Sequence, residues 1–461
     1  MPTAIRRRLL IFDSPYTMIR LHPIDQGLLW PDTHSTRCKL SCGGREIEIP
    51  VSLDASVPVD CVLVSVKAFR QILGNLESDW LPAFIWPNRI HLGPTIGILC
   101  NPKWDDKHST MFLNRQEPGL RKMIGIGKQL GALVYVFGLR DINFIEMQVR
   151  AFMWQGGSWN KMIVPLPDVI YDQVLSRKME HNSEYRERRK HLSLIYEGRI
   201  FNEGFLDKWE THRWLVADIR TRVHVPLTQR YQSRSKAATF LCQHSVTFFK
   251  PVHGSLGLGI LRATRKEDGA YVVESKQAGK HIATQYGDAK AVIVGLLPRL
   301  RAKPYLLQEG IDLAHYKDRP VDVRIVLQRD GNGQWQRTKM FARVAPVGDF
   351  TANLAGGGEA YPVFQVLSEN FPVKMQRKVR GELKRVALLT AEVIEQGAKK
   401  KFGELGVDLG IDQRGRVWII EVNSKPWKAP DTHSGRRDLV ELAFKRPLQY
   451  ALYLAHNSTL R

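Results

Sequence analysis

Three oxygen-bearing side chains near the C-terminus could do chemistry together: Asp408 in GVDLGID, then Glu421 and Asn423 in VWIIEVNSKPW. Two carboxylates and an amide are hard ligands, the set that suits Mg²⁺ held against phosphate oxygens. Strand-like runs from Gly406 to Ile411 and from Val417 to Val422 flank Asp412-Gln413-Arg414-Gly415, a turn cluster, and so predict a hairpin. Alternation puts Glu421 and Asn423 on one face, with Asp408 on the neighbouring strand. The register between the strands is left open by the sequence. Acidic residues are common at strand ends, so the hairpin alone does not make a metal site.

Upstream signals are individually modest. Lys250 follows Phe248-Phe249 and precedes HGSLGLG, a cation at the mouth of a loop whose bare backbone N–H groups can approach phosphate closely. An ordinary glycine-rich turn reads the same way. The loop lacks the GK[ST] of a Walker A sequence, and a strand rather than a helix follows it, which excludes the dinucleotide fingerprint. Gln308-Glu309-Gly310-Ile311 ends a strand, with backbone groups free to read an adenine edge. An exposed strand terminus explains Glu309 equally well. His224, His244 and His253 read as turn or core histidines before acid–base groups.

These segments need a frame to position them, and 461 residues predict two to four domains. The first 90 or so residues carry short alternating runs broken by Pro and Gly, a β-rich domain. From Gly93, TIGILC, a helix over 115–131, ALVYVF and PDVIYD alternate as an α/β unit with a parallel sheet. Asn202 to Ile219 reads as a helix, and VDVRIVLQRDGNGQWQRTKMFARVAP as a long hairpin turning at Gly331 to Gly333. Lys374 to Phe402 carries an apolar stripe of Val379, Leu383, Val386, Leu389 or Thr390, Val393 and Ile394, and predicts a helix stopped by Gly403.

The formal charge of +22 implies attraction to something anionic. The densest cluster, Arg186 to Lys190, is interleaved with glutamates as a solvated helix face would be, and no nucleic-acid-binding motif is present. Nucleic acid is therefore not the expected partner. Five scattered cysteines do not read as a disulfide framework. His34, Cys38 and Cys42 suggest zinc, but a hairpin around Gly43-Gly44 placing Cys38, Leu40 and Cys42 on one apolar face is the better reading. No apolar stretch approaches a membrane span, and the opening MPTAIRRRLLIF has no cleavage signal, so a cytoplasmic protein is expected.

The order of the motifs adds more than any one of them. A lysine, a second lysine with a glycine-rich loop, a strand-terminal acid and a carboxylate–carboxylate–asparagine set closely resemble the ATP-grasp superfamily, from residue 201 to 456. That resemblance implies an α+β fold in which two subdomains close on ATP. It implies a β-rich N-terminal domain (1–90), an α/β pre-ATP-grasp domain (91–200) and an ATP-grasp domain (201–456), the last with a lid of about 225–308 and a large subdomain of about 312–456. Carried over, it makes Lys208 and Lys250 the phosphate-binding lysines and Gly254, Ser255, Gly257 and Gly259 the loop over the phosphates. Gln308, Glu309 and Ile311 become the adenine hinge, and Asp408, Glu421 and Asn423 the Mg²⁺ ligands.

DVRIVLQ followed by FARVAPVGDFTANLAGGG is similar to the ribosomal-protein glutamate ligase and related amino-acid ligases. This points to Arg324, Arg343 and Asn353 near the γ-phosphate and acceptor. HLGPTIGIL, PLPDVIYDQVLSR, IFNEGFLDKW, VPLT and FFKPVHGSLGLGI look like the YheC/YheD group of bacterial ATP-grasp proteins, known as endospore coat-associated. Gln173, where an arginine is usual, and His253 within the loop are the departures. The resemblance implies an ATP- and Mg²⁺-dependent carboxylate–amine ligase working through an acylphosphate, with loop closure keeping water out. A kinase on the same site and a coat protein that only binds ATP are the alternatives. Small-molecule or peptide substrates and other coat proteins are the implied partners.

Overall fold

Alternating runs between Ile5 and Leu92 close into a seven-stranded barrel. The strand Ile5–Phe12 pairs in parallel with Cys61–Ser65 and antiparallel with Pro82–Trp86, which completes the ring. Arg37–Cys42 and Arg45–Leu53 form the hairpin around Gly43-Gly44, and Cys38, Leu40 and Cys42 all enter the core. Burial pushes the Cys38 thiol up to about 12, so it behaves as an apolar side chain. His34 lies outside the described residues. The computed structural model describes residues 5–458 apart from 32–34, 75, 77–79, 109, 114–115, 181, 255–256, 278–279 and 429–435.

After the barrel comes a sheet whose parallel strands run Leu133–Gly138, Thr95–Cys100, Val169–Asp172 and Ile200–Phe201, with the Gln148–Gln155 and Ser158–Pro165 hairpin beside Leu133–Gly138. Every residue of Thr95–Cys100 is buried, as its unbroken apolar run requires of a strand covered on both faces. The cluster Arg186 to Lys190 departs from a solvated face. In the helix Ser183–Ile195, Arg189 pairs with Asp172 and Glu203, and Arg188 donates to the carbonyls of Leu139 and Ile142. Two of its cations therefore hold structure. The barrel and this sheet form one compact unit with Arg329–Gln334 and Glu441–Arg461.

The second unit, Phe205–Gln328 with Trp335–Val440, contains two sheets. The first runs Thr228–Arg230, Tyr305–Glu309, Val246–Pro251, Leu261–Arg265, Tyr271–Gln277, Lys280–Tyr286, and buries Phe249, Leu261 and Leu307 against the helices Arg234–Gln243 and Ala289–Ala302. The other runs Glu359–Tyr361, Trp335–Val344, Arg319–Arg329, Glu404–Ile411, Val417–Asn423. The helix Val373–Ala398 packs Val379, Leu383 and Val386 on Val407, Leu409 and Val417 of this sheet. Thr390, not Leu389, completes the stripe; its hydroxyl donates to the Val386 carbonyl. The helix stops at Lys399, which takes a left-handed φ of 51°, four residues before Gly403. A second correction concerns the helix expected from Asn202. It begins at Lys208, because Asn202 adopts φ 58° and the Asp207 carboxylate caps the N–H groups of Trp209 and Glu210.

Candidate functional site

Asp408 sits opposite Arg324 on one neighbouring strand and opposite Glu421 on the other. Cross-strand partners project to the same side of a sheet, so Arg324, Asp408 and Glu421 make one row. The row depends on a register shift between Asp408 and Leu409, which leaves Ile420 as an extra residue. Val417, Ile419 and Glu421 share one parity, so an unbroken strand would carry Glu421 and Asn423 to the apolar face under the helix. The bulge turns both residues to the side of Asp408. Gly410 makes room for it: a Cβ there would lie 3.2 Å from Ile420 Cδ1 and 2.6 Å from Leu313 Cδ2.

Buried charge converges on Asp408. Arg324 donates to both its oxygens, Nη2 to Oδ2 at 2.9 Å. Arg343 Nη2 is 2.9 Å from the same Oδ2, and its Nε and Nη2 reach Asp322 at 2.6 and 2.7 Å. Burial alone would raise the Asp408 carboxyl, but the two guanidinium groups outweigh it and hold it below the usual range. Asp322 goes the other way: burial wins over Arg343 and raises it. Sequence reasoning passed over Asp322. The signal was present, since Asp322 stands two residues before Arg324 in VDVR and alternation places it on the same face.

Both lysines reach this row. Lys208, the first residue of its helix, sends Nζ to Glu421 Oε1 at 2.5 Å and to the Gly254 carbonyl at 2.9 Å. Lys250 Nζ donates to Gln308 Oε1 at 2.5 Å, and Gln308 Nε2 donates to Thr228 Oγ1 at 2.9 Å. Burial pushes the Lys250 ammonium down from 10.5 to about 8; Glu421, Asp408 and Asp322 pull it up, and Lys208 pushes it further down. Lys250 thus feels the row on the other sheet directly.

The glycine-rich loop and the strand end are more mixed. Gly257 and Gly259 have φ of 73° and 77°, in the left-handed region that favours glycine, and a Cβ on Gly257 would lie 3.9 Å from Asn353 Nδ2. Ser255 lies outside the described residues. The adenine-edge reading needs correction in part. The Glu309 N–H donates to the Leu227 carbonyl and the Gly310 N–H to the Val246 carbonyl, so neither is free. Nor is Glu309 a bare strand terminus, for its carboxylate accepts the Leu227 N–H at 2.7 Å. Ile311 follows, half-buried. His224 bonds the Val417 carbonyl, His244 lies 3.7 Å from Glu309, and His253 lies 3.3 Å from Asp207. Lys276 of the first sheet pairs with Asp349 at 2.8 Å, in the same loop as Asn353.

The donor set fits a magnesium nucleotide. Among the described residues no three His, Cys, Asp or Glu side chains gather as a metal site on their own, so the Asn423 amide would have to be the third donor. A carboxylate offers about four lone-pair positions, which leaves room on Asp408 beside its two arginines. Lys208, Lys250, Arg324 and Arg343 face Asp322, Asp408 and Glu421, an excess of one positive charge. Lys250, whose charge burial disfavours, would be relieved by an anion.

Residues 197–454 match the family model described as YheC/D like ATP-grasp. The endospore coat-associated protein YheD of Bacillus subtilis (strain 168) is 27% identical over 402 residues, 86% of each chain. YheC of the same organism is 24% identical over 301 residues, 63% of this chain and 81% of that one. The solved ATP-grasp ligase PsnB complexed with minimal precursor aligns with a TM-score of 0.43 and 16% identity, over 77% of this chain and 99% of PsnB. Among the described residues no helix is long and apolar enough to cross a membrane.

Proposed function

The chain belongs to the YheC/D-like ATP-grasp family, and from that premise we propose that it is an ATP- and Mg²⁺-dependent ligase joining a carboxylate to an amine. The observation that carries the proposal is the Arg324–Asp408–Glu421 row with Lys208 on Glu421 and Lys250 within its field. Asp408, Glu421 and Asn423 would hold Mg²⁺, which when bound neutralises and aligns phosphate oxygens. Lys208 and Lys250 would take the phosphates, with Gly254, Gly257 and Gly259 alongside. Gln308 would orient Lys250 rather than read adenine, and Glu309 and Ile311 would border the base.

A carboxylate oxygen attacking the γ-phosphorus meets like charge. Lys250, Lys208 and Arg343 would screen that repulsion as the bond to the bridging oxygen breaks and ADP leaves. The amine nitrogen then attacks the acyl carbon, the bond to phosphate breaks, and the nitrogen loses a proton to water. Arg324 and Asn353 would border the acceptor. The names of its relatives support a place at the endospore coat.

The test is an ADP-release screen over amino acids, short peptides and dicarboxylates, with mass analysis of each hit. The proposal expects release that needs both substrates and a product equal to their sum less water. A phosphate ester instead would make it a kinase. No release with any pair, together with equal ATP binding by wild type and Asp408→Ala, would end the ligase reading.

A further inference from the structure

The helix Val373–Ala398 exposes a charge excess that the proposed reaction does not use. Its first half, KMQRKVRGELKR, carries Lys374, Arg377, Lys378, Arg380, Lys384 and Arg385, all exposed, against the single acid Glu382. Beside its first turns a cavity of about 790 Å³ opens next to the hairpin turn at Gly415. Met375, Val379 and Val417 give it an apolar floor, and Lys374, Lys378, Arg414 and Arg416 a cationic rim. Glu382 is answered mainly from within: the Arg385 guanidinium at 2.5 Å holds its carboxyl below the usual range, with His224 at 3.5 Å and the Lys378 charge adding to the effect. Among the described residues none of the four rim cations forms an ion pair.

The rim calls for carboxylates and the floor for an apolar side chain. About 300–1,000 Å³ is the usual size of a ligand pocket, so the cavity can seat one or two large side chains. A nucleic acid would answer the charge but leave the floor unused, for the lining has no Trp, Tyr or Phe on which a base could stack. We infer that this cavity and the basic helix face form a docking site for an acidic peptide segment, with one apolar side chain on Met375, Val379 and Val417. The cavity lies on the helix side of the sheet, opposite the Asp408 row, and Val417 stands four residues from Glu421 along the strand, about 13 Å. A docked segment would leave the nucleotide site open.

The experiment is fluorescence anisotropy on the full chain with a labelled peptide of alternating Asp or Glu and Leu or Phe. Lys378→Glu with Arg414→Glu is expected to weaken binding about tenfold, since two rim charges contribute about 1.4 kcal/mol together. Met375→Asp is expected to weaken it comparably. Lys290→Glu with Lys266→Glu, exposed on the helix Ala289–Ala302 and just after the strand Leu261–Arg265, should leave binding unchanged, and unaltered MgATP affinity reports that each variant is folded. A peptide of Asp and Glu alone should bind distinctly more weakly. Equal losses in both charge-reversal pairs, equal binding of the purely acidic peptide, tighter binding of a deoxythymidine oligonucleotide lost with the same rim charges, or no binding would each overturn the inference.

Discussion

Lys250 makes the affinity for nucleotide depend on pH. Burial holds its ammonium near 8 instead of 10.5, and an anionic ligand would restore the ordinary value. The free protein therefore loses this proton as pH rises through 8 and must regain it on binding, so affinity falls. Taking 8 free and 10.5 bound, binding weakens about twentyfold, or about 1.8 kcal/mol, between about pH 7.5 and 9.5. Stability of the free fold moves oppositely. The folded value lies below the unfolded one, so the unfolded chain binds more protons and stability rises with pH from 8 towards 10.5. Titration with a fluorescent ATP analogue and Mg²⁺ at constant ionic strength measures the first effect. Lys250→Met should bind weakly with a flat profile, and Lys250→Arg should bind with a flat profile because its charge does not titrate. A flat wild-type curve, or the same slope in Lys250→Met, would refute the reasoning.

Three further outcomes follow from the geometry. Asp408→Ala leaves the part-buried Arg324 and the buried Arg343 without their shared anion, Arg343 keeping only Asp322, and should cost about 3 kcal/mol in urea unfolding, with Asp408→Asn costing less. Deleting Ile420 removes the bulge but leaves Glu421 opposite Asp408 and Asn423 opposite Gly406, so MgATP binding by calorimetry should be retained, whereas Gly410→Val, whose Cβ would meet Leu313 Cδ2 at 2.6 Å and Ile420 Cδ1 at 3.2 Å, should disturb the bulge and weaken binding. In the first unit, Asp168 Oδ2 accepts from His91 at 3.1 Å and from the Thr95 N–H and hydroxyl at 2.7 and 2.9 Å. Asp168→Ala should therefore lower stability by about 2–4 kcal/mol in thermal unfolding and leave nucleotide affinity unchanged.

Much of this was readable from residue types and period. The hairpin turn follows from Asp412, whose carboxylate takes the N–H groups of Arg414 and Arg416, and from Gly415 at φ 77°. The long helix and the cysteine face followed from their apolar periods. Lys208, Lys250, Arg324, Arg343, Asp408 and Glu421 were named from the family resemblance, and they lie together. What escaped was set by single residues acting against their pattern. Ile420 leaves one trace in sequence, an acid whose parity matches Val417 and Ile419. Asn202 looked helical because nothing local forbids it, yet Asp207 caps the helix five residues later. Arg188 and Arg189 looked solvated because their partners, Leu139, Ile142 and Asp172, lie far away in the chain.

The account rests on Asp408, Glu421 and Asn423 gripping one divalent ion against a nucleotide. Anomalous diffraction from crystals grown with Mn²⁺ and a non-hydrolysable ATP analogue tests this directly. A manganese peak within about 2.3 Å of an oxygen from each of the three side chains is the predicted result. Nucleotide bound with its manganese held elsewhere, and this trio left to Arg324, Arg343 and Lys208, would contradict it.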